Sequence, residues 1–162
     1  HLLPAFTAVA PDGVVDDPVA DDAVVDRCRG LTVPTAADRL ASDLPLTTLT
    51  DRRFKRAPGF PSHPSISAID IRGDDLVISE GEQTLTVRLA RTWTDVAGHP
   101  IAASAAVTDD GRIHVDLATL SSPHRLEMIL DPAKETFTAL WPLPPLFGFG
   151  FDGYLTQMHP PD

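Results

Sequence analysis

The sequence predicts a mainly β domain: an antiparallel up-and-down meander of seven to eight strands, curled into a barrel or half-barrel, with one short N-terminal helix. Three observations carry this reading. From residue 66 onward apolar side chains recur at every second position, the period of strands with one buried face. Glycine and aspartate pairs separate these runs at hairpin spacing. At 162 residues with a single cysteine, the chain is long enough to bury a core without any disulfide.

Residues 1–34 mix Pro, Gly, Asp and Val without helical period, and Asp12, Asp16, Asp17, Asp21, Asp22 and Asp26 precede the first arginine. An extended acidic arm is expected there. Thr35 then stands as a cap before Ala36, with Asp38 at the third helical position and Pro45 as a stop, which predicts a helix over 36–44. Ala37, Leu40, Ala41 and Leu44 fall on one face and are expected to lie against the sheet. A second helical turn is weakly signalled over Thr48 to Phe54, and Pro58, Gly59, Pro61 and Pro64 mark a rigid connector.

The strands are expected at 67–72, 76–80, 84–92, 101–108, 112–118, 125–130 and 136–141. Their inward sets run from Ile69 and Ile71 through Leu76 and Ile78, Leu85 and Val87, Ala103 and Ala105, Val115 and Leu117, and Leu126 and Met128 to Phe137 and Trp141. Pairing Leu76 with Ile71, Leu85 with Ile78 and Leu126 with Trp141 keeps inward residues opposite one another. A flat sheet would leave that face wet, so the strands must close into a barrel or fold into a two-layer β-sandwich, the alternative architecture. The β-rich domain is taken as residues 35–155, with 156–162 as a tail.

The formal net charge of −10 disfavours a nucleic-acid partner, since such binding depends on clustered Lys and Arg. The one basic run, Arg52-Arg53-Phe54-Lys55-Arg56, reads as a solvated or internally paired face. No apolar run approaches the ~20 residues of a membrane helix. The opening His1-Leu2-Leu3-Pro4 has neither a basic region nor a long apolar one, as expected of a processed terminus or a piece of a longer chain. Arginine outnumbers lysine eleven to two, a bias associated with GC-rich bacterial genomes. The compartment stays open.

Few residues point to chemistry. If Asp109-Asp110-Gly111 is a hairpin loop, Ser104 lies opposite Asp116 and diagonal to His114, with Glu127 on the next strand, so a serine, a histidine and two carboxylates share one surface. These are weak catalytic candidates, because a solvent-facing strand yields such sets by chance and no oxyanion hole is legible. His63, His99, His114, His124 and His159 are scattered without ligand spacing, so no metal is expected, and no cofactor motif occurs. Cys28 between two arginines has no base near it in sequence. Four of the ten aromatics, Phe147, Phe149, Phe151 and Tyr154, follow Trp141, and with it they form the candidate ligand-binding set. An eighth strand with the phenylalanines turned inward is expected here.

The leading functional expectation is a noncatalytic binding or accessory β domain, part of a larger bacterial protein, that takes a small apolar ligand or a partner chain. The alternative is a small barrel enzyme acting on an apolar metabolite, of cyclase, isomerase or hydrolase type. The inside of the sheet separates them. A filled interior favours the accessory role, and an open cavity with an inward Tyr, His or carboxylate favours the enzyme.

Overall fold

The computed structural model describes residues 22–23, 25–27, 32–46, 51–59, 65–120 and 122–143. The chain divides into two compact units, His1–Val33 and Pro34–Asp162. Within the first unit, residues 22–23 and 25–27 are helical rather than extended, a departure from the expected arm.

Among the described residues, the second unit holds one helix and nine strands. Helix α1 spans Ala36–Leu40, and the strands are β1 (Arg52–Arg56), β2 (Ile66–Arg72), β3 (Asp75–Glu80), β4 (Gln83–Arg88), β5 (Thr94–Asp95), β6 (Ile101–Val107), β7 (Ile113–Thr119), β8 (Arg125–Asp131) and β9 (Thr136–Leu140). They form one nearly closed, barrel-shaped sheet in the order β4-β3-β2-β1-β9-β8-β7-β6-β5. The expected pairings hold: Leu76 faces Ile71, Leu85 faces Ile78, and Glu127 faces Leu140, the register that places Leu126 beside Trp141.

The expectation of a purely antiparallel meander is corrected at one place. Lys55 and Arg56 of β1 run parallel to Thr136 and Phe137 of β9, with Lys55 N–H and Ala57 N–H donating to Glu135 O and Phe137 O. The cause is parity. Strands that reverse direction at each step come back to the first strand antiparallel only when their number is even, and here it is nine. β1 overlaps, at Arg52 to Phe54, the stretch Thr48 to Phe54 that weakly signals a helical turn. Its burial pattern has one buried side chain, Phe54, flanked by exposed cations on both sides. One apolar residue in five gives no visible period, and pairing on both edges of β1 fixes the strand instead.

Helix α1 is also shorter than expected. Thr35 caps it with a reciprocal capping box to Asp38, whose carboxyl is held below its ordinary range by the bonds from Thr35. Ala41 adopts a left-handed conformation (φ 49°) and ends the helix, so Leu44 stays exposed rather than packing on the sheet. Ala36, Ala37 and Leu40 pack against Ala106 on the outside of β6.

Turn chemistry follows the sequence. Gly73 and Gly81 open two-residue hairpins at positive φ, 59° and 58°, the position that glycine fills in a type II′ turn. The inward side chains form one contiguous cluster from Phe54 through Ile69, Ile78, Val115 and Met128 to Trp141. Every member is apolar and less than a tenth exposed.

Candidate functional site

β6 reads Ile-Ala-Ala-Ser-Ala-Ala-Val and is buried at all seven positions. Ile101, Ala103, Ala105 and Val107 face the core. Ala102, Ser104 and Ala106 face outward, where their small side chains leave room for α1. The outer face of the β6–β7 hairpin is therefore covered by a helix, whereas its alternating polar residues predict a solvated face.

Ser104 lies opposite Asp116 and on the same face as His114, as expected. Their partners differ from those of a catalytic triad. The Ser104 hydroxyl accepts from Ala36 N–H at 3.0 Å, at the first turn of α1. Arg39 forks onto the Asp116 carboxylate, with Nη2 at 2.8 Å from Oδ1 and Nε at 3.2 Å from Oδ2. Asp116 is 1% exposed and the Arg39 side chain 27%. Burial pushes the Asp116 carboxyl above its ordinary range, and the Arg39 bonds pull against that shift. Arg39 also lies 3.7 Å from Glu127, which in turn accepts from Arg125, so two cations and two carboxylates form one network. No hydrogen bond joins Ser104, His114 and Asp116 to one another among the described residues, and a nucleophile needs such a contact with its base. The sequence could not assign this role to Arg39, because nothing in the spacing of residues 39 and 116 signals it.

His114 is half-buried and lines a cavity of about 370 Å³ together with Leu40, Ser42, Thr108, Asp109 and Asp110. Burial, helped by the nearby Arg39 charge, holds its imidazole below the ordinary value, which favours the neutral ring. Asp110 takes a hydrogen bond from Thr108 that keeps it ionised.

A second, half-open groove of about 330 Å³ lies on the outer wall where β1 ends beside β9. Ala57, Pro58, Ile129 and Thr138 line it with Arg112, Asp131 and Lys134. The charges there are paired: Lys134 with Asp131 inside the groove at 3.1 Å, and Arg112 with Asp110, which lies outside it, at 3.3 Å. The Lys134 bond is the main cause that holds Asp131 below its ordinary range.

Trp141 is buried, with His124 edge-on to its ring at 6.4 Å between centroids. Phe147, Phe149, Phe151, Tyr154, Cys28, His63 and His159 lie outside the described residues. Among the described residues no group of three metal-binding side chains converges, and no helix is long and apolar enough to cross a membrane. The basic run of β1 is largely paired internally: Arg52 donates to Pro132 O, Arg53 lies beside Asp70, and Arg56 donates to Ile66 O.

Comparison of the chain with family models, curated proteins and solved structures finds no match.

Proposed function

We propose that the barrel is a noncatalytic binding or accessory domain, and that its ligand is a small, neutral, apolar molecule held in the groove beside Ile129. The observation that carries this reading is the interior. Among the described residues the inward side chains are apolar except at Thr119, buried opposite Ile101, whose hydroxyl is engaged by Ser122 and by His124 O. A barrel of about this strand number is either filled by its own side chains or holds one small ligand, and here the inward apolar side chains pack as one contiguous cluster. Among the described residues the inner face then offers no acid or base for a reaction, which favours binding on the outer wall. The groove has the volume of a small-ligand site, and each of its charged side chains is engaged by a protein partner.

Binding of 1-naphthol, followed by its fluorescence, tests the reading. Saturable binding that Ile129→Glu abolishes supports it, and binding that is absent or indifferent to this substitution refutes it.

One observation favours the enzyme reading instead. His114, biased toward the neutral imidazole that can accept a proton, borders a cavity with Thr108 and Asp110. That reading requires hydrolysis or isomerisation of an apolar ester or ketone that disappears in His114→Ala with the fold intact.

A further inference from the structure

The sheet is a barrel with a seam. β4 and β5 are its two edges, and no ladder joins them; the connection that follows β4 is instead tied to β6, where Ala105 N–H donates to Ala90 O at 2.7 Å. Thr94 adds a side-chain bridge, its hydroxyl lying 3.3 Å from both Arg88 O and Ala103 O. Leu89 N–H bonds to Asp74 O, and in an antiparallel ladder hydrogen-bonded pairs alternate, so Val87 with Leu76 and Leu85 with Ile78 point their amides toward β3. The amides of Thr84 and Thr86 therefore face the seam, where no strand pairs with them. Every other junction except the short β1–β9 and β5–β6 ladders is registered over at least four residue pairs.

Residues 35–46 span this weak line. On one bank, Ala36 N–H bonds to Ser104 of β6, Arg39 forks onto Asp116 of β7, and the Ser42 hydroxyl donates to Val107 O at the end of β6. On the other bank, Arg91 in the connection after β4 donates to Ser42 O and to Leu44 O, and it pairs with Asp43 at 3.1 Å. Leu46 then packs onto the core cluster.

We infer that residues 35–46 are a releasable latch: while Arg91 and Ser42 hold it, the β4–β5 seam stays shut, and its release opens that seam with the β6–β9 ladder intact. Proteins open first where few buried contacts and few ladder bonds must break. Release would expose the inner faces of Leu85, Val87, Leu89 and Val96, the apolar residues that line the seam. The latch is independent of what the outer groove binds.

Hydrogen exchange of the full chain, read by mass spectrometry, tests this. In Arg91→Ala, peptides covering 83–96 should exchange at least tenfold faster than in the wild type, while peptides covering 113–131 keep their rate. Ser42→Ala removes one hydroxyl, is the gentler variant should Arg91→Ala fail to fold, and should show the same pattern with a smaller acceleration. Acceleration shared equally by residues 113–131, or unchanged exchange at 83–96 in both variants, would overturn the latch.

Discussion

Arg39→Ala isolates the contact that pins α1 to the sheet. The substitution leaves the Asp116 carboxylate, 1% exposed, without its forked partner. Breaking a fully buried pair in this way costs ~3–5 kcal/mol, while an exposed pair is worth ~0–1 kcal/mol. Arg39 is 27% exposed, so water reaches one side of the pair and the expected cost lies between these limits, at about 2–3 kcal/mol. Asp116→Asn removes the charge that burial penalises and keeps an acceptor for Arg39, so its cost should be nearer ~1 kcal/mol. Replacing both partners with apolar residues, Arg39→Met with Asp116→Leu, should cost less than Arg39→Ala alone, because no charge is then stranded. Urea denaturation at neutral pH measures all three, provided the slope with denaturant stays constant. Arg39→Ala within ~0.5 kcal/mol of the wild type would refute the reasoning and place Asp116 in solvent.

Phe54→Ala should cost ~3–5 kcal/mol by chemical denaturation, since Phe54 is fully buried and is the only core side chain of β1; a cost under ~1 kcal/mol would show that β1 does not close the sheet. His114 is held below its ordinary value of 6.5, so the unfolded chain takes up a proton first as pH falls. The stability it contributes is therefore complete above about pH 6.5 and declines on acidification, and His114→Gln should flatten the fall in Tm between about pH 7 and about pH 5.5. Asp116, held above 3.8, acts in the opposite sense at lower pH, and an unchanged slope in His114→Gln would refute the assignment. Gly111→Ala should lose ~1–2 kcal/mol from backbone strain alone, because φ is +78° while nothing lies within 4 Å of the added methyl; an unchanged Tm would show that the turn relaxes.

β2, β3, β4, β8 and β9 were legible because each has one less buried face, so their period of two survives in the sequence. Where that condition fails, so does the reading. β1 carries a single apolar residue, and β5 is two residues long. β6 shows the subtler failure: its outward Ala102, Ser104 and Ala106 look like weak solvent-facing positions, yet small side chains there leave space for α1. Placing Ser104, His114 and Asp116 on one face followed from hairpin register alone. Their roles did not, because these depend on Ala36 and Arg39, brought in from 68 and 77 residues away. The helix end was missed for a local reason, since a left-handed alanine is rarely signalled by its neighbours.

Methyl-resolved NMR during titration with 1-naphthol tests the central claim most directly, because it reports where an apolar molecule goes. The account requires the shifts to concentrate at Ile129 on the outer wall while Val115, Leu117 and Met128 stay unmoved inside a filled barrel. Shifts largest at those interior methyls would reveal an open cavity and contradict the claim.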